Sequence, residues 1–203
     1  MYRALDGLTI IEGRERIRMR PAMYIGAEPG RSPSHRLLEG LVHAIANDTP
    51  PPQEIHVRLW CGSAITIAWD GVPLPIEPFV PRGRGVPHPA LYQLFMYVAA
   101  GAPPFGRFFF GAILNALSER LVVSTMQDGQ RYRVVFAKGL LLTLLQPKSC
   151  RQPFGTTWFT FRPDTAIIGG DPVSWADVQG IAARQGSVRI CVEDHSGEEA
   201  DWS

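Results

Sequence analysis

Apolar and polar residues alternate with a period of two in EIHVRLW, residues 54–60, and again in AITIAW, residues 64–69. The short turn CGS joins them, so the pair predicts an antiparallel hairpin. LVVSTM and RYRVVFA repeat the arrangement around the turn signal QDGQ. LLLTLL, TTWFTF and VRICVE add further strands, and SWADVQGIAARQ reads as a surface helix between the last two. Upstream the period changes to that of a helix. IEGRERIRMR and SHRLLEGLVHAIAND are helical pieces; Leu38, Leu41, Val42 and Ile45 form the apolar stripe of the second, with Ser34 as its candidate N-cap. That stripe should pack on the sheet. Strands that share hairpins, interspersed with helices, predict an α+β two-layer sandwich with the helices on one face. Residues 71–90 are rich in proline and glycine and read as a long irregular loop.

Composition narrows the classes. A chain of 203 residues with 45% hydrophobic content suits a single domain spanning residues 1–203. Its 20 basic and 19 acidic residues give a formal charge of +1, which offers no electrostatic reason for direct nucleic-acid or anionic-membrane binding. Cys61, Cys150 and Cys191 are an odd number at no metal-ligand spacing. The start MYRALDGLTIIEGRER lacks the apolar core of a secretory signal, and a reduced cytoplasm is the expected compartment. From Leu91 to Leu117 only Arg107 is charged, but Pro103, Pro104 and several glycines break the stretch, so it reads as two buried helices and a loop.

That loop, PPFGRFFFG, leads into the helix AILNALSERL. A glycine-rich turn at a helix start is a phosphate-binding arrangement, because backbone N–H groups point outward there. Three consecutive phenylalanines take the room such an approach needs. Arg107 is a candidate phosphate contact, whereas FFFGAIL reads as core or interface packing.

Taken in order, IEGRERIRMRPAMYIG, HRLLEGLVHAIAND, ITIAWDGVPLP, LNALSERL, GTTWFTFRPD and GSVRICVEDHSGEEADW resemble the ATPase domain of DNA gyrase B, of the GHKL superfamily with its Bergerat fold. RMRPAMYIG is the most specific piece. The resemblance implies a mixed, mostly antiparallel sheet of about eight strands backed by helices, with ATP held between the helices and a lid. In that family a helix carries a glutamate that activates water and, four residues later, an asparagine that binds magnesium; the resemblance puts these at Glu39 and His43. Residues four apart share a helix face, so Glu39, His43 and Asn47 project together. Imidazole is a poor substitute for a hard oxygen ligand of magnesium, and a lone histidine reads as an ordinary helix residue.

The family's adenine-binding aspartate falls on Trp69, followed by Asp70 and Gly71, with Pro73 at a glycine position. Sliding the register to use Asp70 is opposed by strand periodicity, which sets Ile65, Ile67 and Trp69 on one face and Asp70 on the other. The indole either fills the purine slot or stacks on another flat ligand, and filling is the simpler reading. The phosphate-cradling glycines nearest the helix fall on Phe108 and Phe110, and the lid shrinks to APPFGRFFFG. Glu39, Asp70, Gly71, Gly101, Arg133 and Thr156 persist at pocket or framework positions, Thr156 near where adenine would lie. The family continues into a transducer domain that supplies a lysine, and then into DNA-cleaving machinery; the sequence ends before both, so it is not expected to pass DNA by itself.

The expectation is therefore a degenerate gyrase-B-like domain, a pseudo-ATPase with ATP and magnesium binding weak or absent, acting as a protein-interaction or regulatory module through a protein partner or self-association. Two alternatives stand beside it. One is a binder of nucleotides or planar small molecules that uses Trp69, Asp70 and Thr156; the other is an ATPase completed by a partner's lid and lysine.

Overall fold

A computed structural model describes residues 3–5, 8–10, 13–80, 87–96, 110–149 and 154–202. In chain order the elements are β1 (Arg3–Leu5), β2 (Leu8–Ile10), α1 (Gly13–Met19), α2 (Ala22–Ile25), α3 (Pro33–Ala46), β3 (Glu54–Trp60) and β4 (Ile65–Trp69). After these come β5 (Pro78–Phe79), β6 (His88–Pro89), α4 (Leu91–Met96), α5 (Phe110–Ala116), β7 (Ser118–Gln127), β8 (Gln130–Ala137) and β9 (Leu140–Lys148). The last four are β10 (Thr157–Pro163), α6 (Thr165–Ile168), α7 (Trp175–Arg184) and β11 (Arg189–His195).

Among the described residues the main sheet has seven strands in the order β11-β3-β4-β10-β7-β8-β9, close to the eight or so expected. Every neighbouring pair is antiparallel except β11 with β3. Both hairpins form where the alternation puts them. The QDGQ turn has Asp128 at φ 51° and Gly129 at φ 75°, the left-handed pair that matches the twist of a two-residue hairpin. The described residues of 71–90, which are 71–80 and 87–90, are irregular as expected except for a two-residue ladder in which Pro78 pairs with Pro89 and Phe79 with His88.

Along β3 burial alternates. Ile55, Val57 and Leu59 enter the core, while Glu54, His56, Arg58 and Trp60 lie half-buried on the opposite face. Leu37, Leu38, Leu41, Val42 and Ile45 of α3 are fully buried in the same core as Phe95 of α4, Leu114 of α5 and Phe136, Phe159 and Phe161 of the sheet. A layer of helices on one sheet face is what the expected α+β sandwich requires.

The N-cap of α3 differs from expectation. The cap is Ser32, whose side-chain oxygen accepts a hydrogen bond from the His35 amide, and Pro33 opens the helix. Proline at the first helical position loses no hydrogen bond, which fixes the start earlier than Ser34 and leaves that serine buried. Arg18, from the RMRPAMYIG segment, ties α1 to the sheet. It donates to the Ala116 carbonyl at the end of α5 at 2.7 Å and to Asp164 Oδ2 at 2.9 Å. Among the described residues, no helix is long and apolar enough to cross a membrane.

Candidate functional site

The end of β4 meets the start of β10, and together they bring Trp69, Asp70, Gly71 and Thr156 close to one another. The Thr156 amide donates to the Trp69 carbonyl at 2.9 Å. Its hydroxyl accepts from the Gly71 amide at 3.0 Å and donates to the Gly71 carbonyl at 2.8 Å. Thr156 thus clasps the turn after β4, with its hydroxyl proton committed to the backbone. Gly155, at φ 82°, lies so close to the Trp69 carbonyl that a Cβ would clash with backbone. Glycine at 155 is therefore required by close chain approach and a left-handed backbone.

Trp69 is 1% exposed and meets Phe159 edge to face, with ring centroids 4.8 Å apart. Its indole also lies against Gly71, where a Cβ would stand 3.2 Å from Cδ1. The side chain is part of the core. Asp70 turns to the other side, as the strand period requires, and its Oδ1 accepts the Glu54 amide at 3.1 Å. It braces the start of β3.

On the helix layer, Phe110 begins α5 and its ring lies against Gly40 of α3, where a Cβ would be 2.5 Å from the ring. Gly111 approaches the Leu94 carbonyl, 2.7 Å from an added Cβ. Only glycine at these two positions lets α3, α4 and α5 come together around an aromatic ring. Arg107, Phe108 and Gly101 lie outside the described residues.

Glu39 is one residue from Gly40, and so about 100° around the helix. It is turned to α7. Its carboxylate contacts Arg36 Nη1 at 2.6 Å, Arg184 Nη2 at 2.7 Å and Arg31 Nη1 at 3.2 Å. Burial acts to raise its pKa, but the hydrogen bond and charge of Arg184 and the charges of Arg36 and Arg31 together hold it below the usual carboxylate range. His35 lies beside this cluster, with Nδ1 3.0 Å from Asp177 Oδ1. Asp177 in turn closes a capping box with Ser174 at the start of α7. The group is an electrostatic seam between α3 and α7.

Because folded Glu39 holds its proton more weakly than the unfolded chain does, its contribution to stability is complete above the ordinary carboxylate pKa. It is lost as pH falls through the folded value. Glu39→Gln should cost about 1 kcal/mol at neutral pH, since Arg184 is partly exposed to screening solvent. The cost should shrink toward zero in acid; urea unfolding of the two proteins across pH measures the difference.

His43 is exposed, and the Asn47 side-chain amide donates to its carbonyl at 2.8 Å. The shared face of Glu39, His43 and Asn47 thus breaks into two local arrangements. Arg133, on β8, is 5% exposed and donates to the Trp202 carbonyl, a framework contact on the outer face of the sheet. Sequence reasoning missed the arginine partners of Glu39: Arg184 is 145 residues away, whereas Arg36 and Arg31, three and eight residues before it, are near in sequence, and helical spacing was the signal that could have found Arg36.

No family model matches the sequence. The B subunit of DNA topoisomerase 4 from Caulobacter vibrioides is 30% identical over 178 residues, covering 83% of this chain and 25% of the relative. The B subunit of the type 2 topoisomerase from Aquifex aeolicus is 29% identical over 173 residues, covering 80% and 21%. The B subunit of DNA gyrase from Thermus thermophilus is 29% identical over 180 residues, covering 81% and 27%. Among solved structures, the 43K ATPase domain of Thermus thermophilus gyrase B in complex with an aminocoumarin superposes with a TM-score of 0.74 at 24% identity, covering 93% of this chain and 50% of that one. The mixed sheet with its single helical layer is therefore the GHKL fold. Within that class the chain is a gyrase-B-like domain, and it spans about a quarter of the length of the curated relatives it matches.

Proposed function

We propose that this gyrase-B-like domain does not hydrolyse ATP and serves as a protein-interaction or regulatory module. The observation that carries the reading is the burial of the Trp69 indole in the core at the strand end where the family holds the carboxylate for adenine. The side chains present do not fit magnesium–ATP. At 1% exposure, Trp69 has no open ring face for a purine, and the Thr156 proton is engaged by Gly71. Phe110 lies on α3 at the start of the helix whose N-terminus would face phosphate.

The base argues the same way under either alignment of α3. At position 39 the carboxylate is clamped by three guanidinium groups, which oppose proton uptake. Shifted by one, to the residue that faces α5, the base position is Gly40 and the metal position Ala44, neither of which has a polar side chain. Phosphoryl transfer depends on positioning and charge stabilisation, so these losses together remove most of the means of catalysis. An interaction role is favoured by β9, an edge strand on which Leu140, Leu142 and Leu144 are 57%, 62% and 71% exposed. Apolar side chains in a row on an unpaired edge mark a surface that associates.

Purified protein should release no phosphate from ATP and magnesium above the buffer rate, and millimolar ATP or ADP should leave its melting temperature unchanged. Phosphate release that disappears in Glu39→Ala would refute the proposal.

A further inference from the structure

On the outer face of the sheet, the parallel pairing of β3 with β11 sets Cys191 directly opposite His56 and Arg189 opposite Glu54. Glu54, His56 and Cys191 each present one donor atom, and these atoms all lie within 4.8 Å of one another. Cys191 Sγ is 3.1 Å from Glu54 Oε1, and His56 Nε2 is 3.3 Å from Glu54 Oε2. Donor atoms of a tetrahedral zinc site, with bonds of roughly 2.0–2.3 Å, stand roughly 3.5 Å apart, so the three need only small rotations to converge on one ion.

His56 gives the second, independent observation. Both of its ring nitrogens are buried, and among the described residues neither makes a well-aligned hydrogen bond; their nearest acceptors are carboxylates, Glu54 for Nε2 and Glu193 for Nδ1. The ring is held from one side by Phe154, with centroids 3.7 Å apart. Its Nδ1 faces Glu193 Oε1 at 3.6 Å, and Glu193 is fixed by Arg58 Nε at 2.7 Å. A carboxylate behind a histidine whose other nitrogen faces a thiol and a second carboxylate is the outer support that metal-bound histidines have.

We infer that Glu54, His56 and Cys191 form a binding site for a divalent transition metal, zinc above all, with Glu193 as a positioning residue behind His56. Thiolate and imidazole select zinc over magnesium or calcium, whose ligands are oxygen alone. Three protein donors leave one tetrahedral position for water. Binding displaces the thiol proton to solvent and transfers Glu54 from Arg189, a guanidinium 78% exposed and 3.2 Å away, to the metal. The site bridges the edge strand β11 to β3, so metal should also stabilise that edge.

Cobalt(II), a spectroscopic substitute for zinc, tests the assignment on the whole chain. Titration should give a thiolate-to-cobalt charge-transfer band in the near ultraviolet together with intense visible bands of tetrahedral geometry, saturating at a single ion per chain and reversed by zinc. Cys191→Ser should abolish the near-ultraviolet band, Cys61→Ser should keep it, and Glu193→Gln should weaken binding by about tenfold or more. The inference fails if wild-type protein shows no such band, a result that needs no variant to fold. It also fails if the band survives in Cys191→Ser, or is lost in Cys61→Ser while circular dichroism shows that variant folded.

Discussion

Arg18→Ala should destabilise the protein by about 3–5 kcal/mol, the usual consequence of removing one member of a buried ion pair and leaving the other without its partner. The Arg18 and Asp164 side chains are 16% and 6% exposed, so the guanidinium is the principal compensation for a carboxylate that water scarcely reaches. The same guanidinium caps α5 by donating to the Ala116 carbonyl, and the Asp164 amide donates to the Leu117 carbonyl one residue on. One substitution therefore loosens α1, the end of α5 and the turn after β10 together. Urea unfolding followed by circular dichroism measures the loss, and a Lys variant separates charge from geometry. Lysine keeps the charge but cannot reach both acceptors in the planar fork that arginine uses, so Arg18→Lys should recover only part of the stability. A loss below about 1 kcal/mol in Arg18→Ala would mean that solvent replaces the guanidinium and that the segment's conspicuous sequence serves another purpose.

The elements that local pattern determines are visible along the chain. Alternation in EIHVRLW and AITIAW fixes which side chains of β3 are buried, and Asp-Gly at 128–129 fixes a left-handed turn, because both are properties of a few consecutive residues. The stripe of α3 is equally plain. What local pattern does not supply is the rotation of α3 about its axis. Glu39 and Gly40 are adjacent in sequence, yet one meets the arginines and the other meets Phe110, and only the packing of α5 and α7 on different sides of α3 decides which.

The Glu54, His56 and Cys191 cluster is hidden for a related reason. Spacing rules for cysteine ligands detect donors close in sequence, whereas Cys191 arrives opposite His56 by a parallel pairing across 135 residues of chain. Likewise, the resemblance puts Trp69 where the family receives adenine but does not say whether its ring faces a cavity or the core. Its contact with Phe159, across the β4–β10 pairing, answers that.

Trp69→Ala should cost about 3–5 kcal/mol, as large-to-small substitutions of fully buried aromatics do, with the upper end reached if the surrounding core does not relax. Trp69 is among the largest fully buried side chains and touches both Phe159 and the backbone at Gly71, so the space it leaves is walled by a rigid strand end and an aromatic ring. Such a void has the flat shape of an indole. Free indole or a similar unsubstituted bicyclic heterocycle should then raise the melting temperature of Trp69→Ala and not that of the wild type, by binding only to the folded variant. Adenine carries a polar edge that Trp69 does not, and the carboxylate that would receive it is absent, so it should rescue less than indole. Equal rescue by adenine would show that the slot still reads a purine and would weaken the proposed loss of nucleotide binding. A melting temperature of Trp69→Ala within about a degree or two of the wild type would show that the indole supports little of the core, and would remove the ground for holding that a side chain has taken the ligand's place.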